Sequence, residues 1–350
     1  MSNSSGNPKQ PSILDFLCGL FNPSKPAVTP PPAPPTPQPV TPLPDNTTDP
    51  ARIVTSRVLL VIYNPVVDAA SGKKLSQYMN WQSPDILANT FIQEILEYSG
   101  GLARYQIVQR TELNEFPAKT DGYRYDATTY LNVIKGLQPP HQPADVDYQA
   151  LLTGLNVLPR ISAREFDEVW IFNFPHAGFA ESIMGGAGAF WCNSNPLAWS
   201  SGCNRRFVVM GFSYERGVGE MLESFGHRSE SILKQTFSKT TGTANLYSRF
   251  ALYDKVAPGQ AGVGNIHYAP NSLTDYDWGN LRFVNSNCYD WYNFPHFKGD
   301  VRSVNATEWG NGNLHDHHEW WLKHLPKVAG RTSGVANNWW QYIIDANLVN

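Results

Sequence analysis

The apolar residues of the chain fall into short continuous runs, each bounded by polar or turn-forming residues. The first run is SRVLLVIYNPVV, residues 56–67, which ends at Asn64 and Pro65. Continuous apolar runs of this length are typical of strands that are buried on both faces of a sheet. The pattern predicts strands at residues 58–63, 105–109, 168–173 and 206–212.

Segments with apolar residues at helical spacing separate these strands. The clearest segment is SPDILANTFIQEILEYSGG, where Ser83 is the expected N-cap, Pro84 opens the first turn and Gly100 ends the helix. Further helical patterns cover residues 146–161 and 219–231. Alternating strands and helices predict an α/β fold with a mostly parallel sheet flanked by helices. Sites in such sheets collect at the carboxyl ends of the strands.

The periodicity fades after residue 238, where Trp, Asn and Gly dominate motifs such as DYDWGN and NNWWQY. We expect residues 239–350 to form an irregular region packed on the sheet, because they have few apolar runs of their own. Residues 24–52 are rich in Pro and Thr, which predicts an extended linker. Residues 1–23 are expected to be disordered. The folded part is then one domain over residues 53–350, with its core in 53–238.

The charge and composition of the chain indicate which classes of binding partner to expect. The 350 residues carry 27 Lys and Arg against 30 Asp and Glu, with a formal net charge of −3. No basic cluster stands out, so a nucleic acid is not an expected partner. No apolar stretch reaches the roughly 18 residues of a membrane span. Charged residues are only 16% and aromatic residues 13%, which together with the proline-rich linker favours a secreted protein, extracellular or at the cell surface.

Two of the four cysteines suggest a disulfide. Cys192 and Cys203 flank the loop CNSNPLAWSSGC, whose Asn, Pro, Ser and Gly content lets the chain turn back on itself. In an oxidising compartment this arrangement predicts a bridge between them, and two unrelated buried thiols are the alternative. Cys288 has no evident partner except Cys18.

The segment GEMLESFGHRSES, residues 219–231, holds the densest candidate chemistry. Glu220, Glu223, His227 and Glu230 follow one another at intervals of three, four and three residues, so a helix would present them on one face. At a spacing of four, Glu223 and His227 could bind one ion. The alternative is a solvated helix face whose carboxylates pair with neighbouring arginines.

The five residues ESFGH within this segment resemble the His-Glu-x-x-His motif of the zincin metallopeptidases. The resemblance places Glu223 at the first ligand position and His227 at the second. It also places Ser224 where that family has its general-base Glu. A metal-dependent reaction at this site would therefore take Glu220 or Glu230 as its base.

A second group of candidate ligands lies in NLHDHHEWWLKHLP, where four of the nine histidines fall close together. On a helix, His315 and His318 would share one side with Glu319. Neutral imidazole is the commonest metal ligand, so His315 and His318 are candidates to complete the ligands of the ion. The alternative is an aromatic-rich helix whose histidines are surface or core groups.

The loop after the predicted strand 168–173 is a third candidate site. His176 and Glu181 come just past the strand end, and Glu215 follows the next strand. Because these strand ends should meet at one edge of the sheet, the polar groups are expected to lie close together. Two facing carboxylates, Glu181 and Glu215, would suit the acid/base hydrolysis of a glycosidic bond.

Three functions are compatible with these patterns. The first is a secreted metal-dependent hydrolase of peptidase or amidase type, with a divalent ion, zinc as the candidate, and an extracellular peptide or polysaccharide as substrate. The second is a metal-free glycoside hydrolase that uses Glu181 and Glu215. The third is a non-catalytic carbohydrate-binding or adhesive domain whose C-terminal tryptophans stack on sugars; these are Trp278, Trp291, Trp320, Trp321, Trp339 and Trp340.

Overall fold

The computed structural model describes residues 44–45 and 48–350 and contains strands and helices throughout that range. The predicted N-terminal segment 1–23 and most of the linker 24–52 lie outside the described residues. The strands are β1 (Pro44–Asp45), β2 (Val54–Tyr63), β3 (Val66–Asp68), β4 (Lys73–Lys74), β5 (Ala103–Leu113), β6 (Glu168–Asn173), β7 (Ser182–Gly185), β8 (Phe207–Ser213), β9 (Val284–Ser286), β10 (Arg302–Val304), β11 (Lys327–Thr332) and β12 (Val335–Asn338). The helices are α1 (Leu75–Tyr78), α2 (Pro84–Tyr98), α3 (Ala127–Ile134), α4 (Tyr148–Gly154), α5 (Val157–Ser162), α6 (Val218–Thr236), α7 (Leu246–Phe250), α8 (Leu314–His324) and α9 (Trp340–Ile344).

The central sheet has five strands in the order β5-β2-β6-β8-β7. The strands β5, β2, β6 and β8 are mutually parallel, and β7 pairs antiparallel with β8 at one edge. These four parallel strands cover the four predicted apolar runs, so the prediction of a mostly parallel α/β sheet is confirmed. The edge strand β7 was not predicted, because its residues SIMG sit inside a glycine-rich loop that has no strand-like pattern.

The sheet is covered on both faces, as its continuous apolar runs require. All six residues of β6 are buried. Phe91 of α2 contacts Trp170 of β6 and Phe225 of α6, with ring centroids 5.3 and 5.7 Å apart. The helices α2 and α6 therefore share one aromatic core with the sheet.

The helical predictions hold for α2 and are modified for residues 146–161. Helix α2 starts at Pro84, and Gly100 follows its end with a positive φ of 64°. The second pattern forms two short helices, α4 and α5, instead of one. Asn156 separates them because its backbone adopts the left-handed conformation, with φ at 52°, which ends a right-handed helix.

The predicted disulfide between Cys192 and Cys203 is wrong, since both residues are buried free thiols. Each sulfur has its own neighbours. Cys192 Sγ lies 3.8 Å from Ser182 Oγ, whereas Cys203 Sγ lies 3.3 Å from the Arg205 carbonyl oxygen. Cys288 is also a buried free thiol, and Cys18 lies outside the described residues.

The region after residue 238 contains helices α7 to α9 and strands β9 to β12, so it is less irregular than its composition indicates. Its last helix contacts α6, where the Arg228 guanidinium donates to the Ile343 carbonyl oxygen at 2.9 Å. Pro44 and Asp45, within the range of the predicted linker, pair antiparallel with β11. None of the described helices is both long enough and apolar enough to cross a bilayer.

Candidate metal centre

Helix α6 carries the 219–231 segment and is buried, which rules out a solvated charged face. It begins just past the end of β8, at the carboxyl edge of the sheet. Glu223 is only 6% exposed. Arg228, an expected surface partner for the carboxylates, is instead fully buried and pairs with Glu168 of β6 at 2.7 Å. The carboxylates of α6 therefore face other protein groups.

Glu223 and His227 meet a third residue, His267, from the loop that precedes β9. One ligand atom from each of the three lies within 4.8 Å of the others. His227 Nε2 is 2.9 Å from His267 Nε2, which in turn is 3.3 Å from Glu223 Oε1. Two donors of one tetrahedral zinc ion lie about 3.4 Å apart when each bond is about 2.1 Å long. Glu223, His227 and His267 therefore form a possible metal-binding triad.

Each histidine of the triad has a carboxylate behind it. His227 Nδ1 lies 3.3 Å from Glu230 Oε2, and His267 Nδ1 lies 3.0 Å from Asp275 Oδ1. A carboxylate only accepts, so each Nδ1 donates to its carboxylate, and each Nε2 faces the position between the three ligand atoms. Such carboxylate–histidine pairs fix the tautomer and orientation of metal-binding imidazoles. Glu230 and Asp275 therefore orient the two imidazoles as they would be oriented in a metal site.

The His267 loop approaches α6 closely because residue 226 is a glycine. A Cβ on Gly226 would lie 2.1 Å from Cδ1 of Ile266, the residue before His267. The Ile266 amide also donates to Glu230 Oε1 at 3.1 Å. Glu230 therefore contacts two partners: its Oε1 accepts from the loop at Ile266, and its Oε2 lies beside His227.

Tyr276 completes the polar surroundings of Glu223. Its hydroxyl donates to Glu223 Oε1 at 2.8 Å and lies 3.0 Å from His267 Nε2. Burial opposes ionisation of Glu223, but hydrogen bonds from His267 and Tyr276 outweigh it and lower the pKa of Glu223 to about 2. The Tyr276 backbone is left-handed, with φ at 57°, a conformation that costs free energy and often occurs at functional sites.

The surroundings of His267 favour its protonated form. The hydrogen bond to Glu223 is the main cause that raises the pKa of His267, and the charge of Asp275 adds to it against the effect of burial. A protonated His267 can donate to Glu223 and to His227 Nε2. The position between the three ligand atoms therefore favours positive charge.

The predicted ligands on α8 differ in their placement. His315 turns away from the triad, because its Nε2 lies 3.1 Å from Glu94 of α2. His318 is buried, and its Nδ1 donates to the Gly219 carbonyl oxygen at 3.1 Å. Its Nε2 has no partner among the described residues. Burial is the main cause that lowers the pKa of His318 to about 4. The neutral ring could therefore offer the Nε2 lone pair to a metal ion.

Trp278 and His317 form a stacked pair next to Tyr276. Trp278 stacks on His317 with ring centroids 4.7 Å apart, and its ring lies 5.1 Å from that of Tyr276. Trp278 is 4% exposed. The indole therefore connects the buried histidines of α8 with the tyrosine of the metal centre.

A cavity of about 270 Å³ lies beside the triad, at the carboxyl ends of β6 and β8. It brings together His176, Glu181 and Glu215 as the sequence indicates. Glu181 joins the cavity to the triad, since its Oε2 is 4.0 Å from His227 Nε2. The buried Lys119 ammonium donates to the His176 carbonyl oxygen at 2.6 Å and holds the loop that forms this wall.

The two predicted bases have structural contacts. Glu220 Oε2 accepts from the Gly217 amide at 3.0 Å and so caps the start of α6. Glu230 holds His227 and the Ile266 amide. Glu181 has a side chain that is 38% exposed and accepts from Asn193 Nδ2 at 2.8 Å. Of the carboxylates near His227, Glu181 is the one that opens to the cavity.

The tryptophans proposed for sugar stacking are mostly core residues. Trp278, Trp291, Trp321, Trp339 and Trp340 are all buried, at no more than 4% exposure. Trp320 is partly buried and packs against the core. Burial removes the ring faces on which a sugar would stack, so these five residues carry no carbohydrate site.

Sequence reasoning missed His267, Asp275 and Tyr276. His267 is a single histidine in GVGNIHYAP, forty positions after His227, and no periodic spacing links it to α6. The glycines around it were the available signal, because they mark a loop that can approach another element closely. Comparisons with protein-family models, curated proteins and solved structures found no match to the chain.

Proposed function

We propose that the protein is a metal-dependent hydrolase of the peptidase or amidase type, with Glu223, His227 and His267 as ligands of a divalent ion. The observation that carries the proposal is the convergence of three ligand atoms within 4.8 Å, with Glu230 and Asp275 behind the two histidines. A solvated or purely structural cluster would not need both Nε2 atoms turned towards one point.

The donor set favours zinc among the divalent ions. Two histidines and one glutamate are a known ligand set of catalytic zinc, which leaves a further position open. A zinc ion bound there supplies Lewis-acid chemistry, polarising the carbonyl of a peptide or amide. Since His318 Nε2 is buried, neutral and without a partner in the described part of the chain, it is a second-choice donor beside this set.

Two side chains of the protein would act as general base and as hydrogen-bond donor in the reaction. Glu181 replaces Glu220 and Glu230 as the candidate base, because it lines the cavity and its Oε2 lies 4.0 Å from His227 Nε2. Glu220 also lines the cavity, but its carboxylate caps the start of α6. Its carboxylate would take a proton from the attacking water and return it to the departing nitrogen. The Tyr276 hydroxyl, which donates to Glu223, would turn to donate to the oxygen that gains negative charge.

The cavity beside the triad suits one side chain of a peptide better than a long polymer. Its volume is about 270 Å³, and its lining combines Phe174, Phe179 and Phe212 with carboxylates. Secretion and an extracellular peptide substrate remain part of the proposal. They rest on the proline-rich tract and on the low content of charged residues.

Metal analysis of untagged protein tests the proposal directly. We expect about one zinc per chain in the wild type and a loss of bound metal in both His227→Ala and His267→Ala. His296→Ala is the matched control, since His296 is exposed and lies outside the triad; it should bind metal like the wild type. Hydrolysis of a peptide library should stop on chelation and return with zinc. Full metal content in both triad variants would contradict the proposal.

The metal-free glycoside hydrolase remains a second candidate, because Glu181 and Glu215 line the same cavity. The two functions respond differently to two changes. A glycosidase of this type would keep its activity in the presence of a chelator and lose it in Glu215→Gln. A metal-dependent amidase would lose activity on chelation, whereas Glu215→Gln would retain bound metal.

A further inference from the structure

A second cavity, of about 240 Å³, lies at the opposite edge of the sheet from the cavity beside the metal centre. Its walls are the first residues of β2, β6 and β8 together with the turn after α9. The cavity beside the metal centre lies where β6 and β8 end. The two cavities therefore lie at opposite ends of these strands.

The lining of this cavity carries an excess of positive charge. Five arginines face three carboxylates; the arginines are Arg57, Arg164, Arg205, Arg206 and Arg228, and the carboxylates are Asp167, Glu168 and Asp345. Arg57 and Arg205 share the single carboxylate of Asp167, each at 3.0 Å. One of these two positive charges is thus left without a counter-charge.

Two further arginines have no carboxylate partner. The Arg206 guanidinium donates to the carbonyl oxygens of Gly188, Ala346 and Val349, which are neutral. Arg164 is exposed and forms no ion pair within the described residues. Its backbone is left-handed, with φ at 60°. The lining therefore holds cationic groups that the protein itself does not neutralise.

Two buried donors in the same wall also lack partners. Arg228 is 1% exposed and Ser56 is 2% exposed. Arg228 Nη1 and Ser56 Oγ have no hydrogen-bond partner in the part of the chain that the structure describes. Leaving a buried donor unsatisfied costs free energy, and an oxygen-rich anion in the cavity would supply acceptors.

We propose that this cavity binds a phosphate- or sulfate-type oxyanion, independently of the metal centre. Arginine matches such an anion through parallel N–H donors, and its charge does not titrate at physiological pH. The carboxylates of the wall already have hydrogen-bond partners: Asp167 has two arginines, and Glu168 has Arg228 and Trp170. Asp345 accepts from the backbone amide and the side chain of Asn347. The anion could be a free ion or a phosphate or sulfate group on a polymer.

Titration calorimetry with inorganic phosphate tests the site. We expect saturable binding to the wild type and an affinity that is about tenfold lower in Arg164→Gln, because one charge-assisted contact is lost. Arg302→Gln is the matched control, since Arg302 is an exposed arginine that pairs with Asp300 outside the cavity; it should bind phosphate like the wild type. Ser56→Ala should weaken binding by a smaller factor.

Two further titrations show which site and which kind of ligand account for the measured binding. Since a metal ion could itself bind phosphate, the titration is repeated with His227→Ala, in which binding should persist. A sulfated oligosaccharide tested against Arg164→Gln shows whether a polymer is the preferred source. Absence of saturable binding by both ligands would overturn the proposal, as would equal affinities of Arg164→Gln and Arg302→Gln that both match the wild type.

Discussion

At the scale of single residues, His324 shows how burial fixes a protonation state. It closes α8 and is 2% exposed. Its Nδ1 donates to the Trp320 carbonyl oxygen at 2.7 Å and lies 3.3 Å from the Tyr292 hydroxyl. Burial is the main cause that lowers the pKa of His324 from 6.5 to about 4; the Trp320 carbonyl acts against it, and the charge of Lys327 adds to it. The ring is neutral in the folded protein above that pH.

This histidine should make the fold sensitive to mild acid. The unfolded chain binds a proton at His324 near pH 6.5, whereas the folded chain does so only near pH 4. Stability contributed by the neutral ring is therefore present above pH 6.5 and decreases as the pH falls towards 4, by roughly 3 kcal/mol in total. Urea unfolding at several pH values should show this slope, and His324→Phe should remove its share.

The exposed His296 provides the control for that experiment. His296→Phe should retain the acid-dependent slope of the wild type, because His296 is exposed and lies outside the core that buries His324. Identical slopes in the wild type and His324→Phe would show that another group causes the acid sensitivity.

The residues of the metal centre also show which part of a site a sequence can indicate. Glu223 and His227 could be predicted, because a helix places residues four positions apart on the same face. His315 was a reasonable candidate on the same principle, but its ring faces Glu94. His267 could not be predicted, since its position depends on how a loop packs against α6 and no local periodicity encodes that contact.

At the scale of elements, the contact between α6 and the His267 loop is the one on which the proposed function depends. Gly226 lies between Glu223 and His227, and the loop crosses α6 at this residue. A Cβ there would lie 2.1 and 2.3 Å from two side-chain carbons of Ile266, which is itself fully buried. The glycine therefore lets the third ligand reach the other two.

Gly226→Ala should displace Ile266 and with it His267. Alanine gains helix propensity of about 1 kcal/mol over glycine, while overpacking costs about 1–3 kcal/mol. We expect a small net loss of stability and a clear loss of zinc affinity, measured by urea unfolding and by competition with a chromogenic chelator. Gly154→Ala is the control, because Gly154 also lies in a helix and a Cβ there meets no neighbour. Unchanged zinc affinity in Gly226→Ala would argue against His267 as a ligand.

Element prediction succeeded where the local pattern and the tertiary environment agree. Continuous apolar runs predicted β2, β6 and β8, because the centre of a parallel sheet buries both faces of its strands. The predicted strand at residues 105–109 lies in β5, an edge strand with several exposed residues. The short strand β7 and the break at Asn156 escaped prediction. Strand β7 is stabilised by its pairing with β8, and the break is caused by the left-handed backbone of Asn156. Neither feature produces a periodic pattern of apolar residues in the sequence.

At the scale of the whole molecule, the parallel sheet separates two kinds of chemistry. Its carboxyl edge carries the cavity that adjoins the triad and is lined by several carboxylates. Its amino edge carries the arginine-lined cavity. The buried ion pair between Arg228 of α6 and Glu168 of β6 lies towards the amino edge, while Glu223 and His227 of the same helix face the metal centre. Helix α6 thus contributes residues to both sites.

The stacking of Trp278 gives the metal centre an optical readout. Indole emission changes with the polarity of its surroundings. Trp278 contacts Tyr276, whose hydroxyl lies 3.0 Å from His267 Nε2. Zinc bound by the triad would change the surroundings of Tyr276 and Trp278, so the intrinsic fluorescence of the wild type should change on titration with zinc, and Trp278→Phe should lose most of that change. Ion occupancy could then be followed in real time without a dye or a substrate.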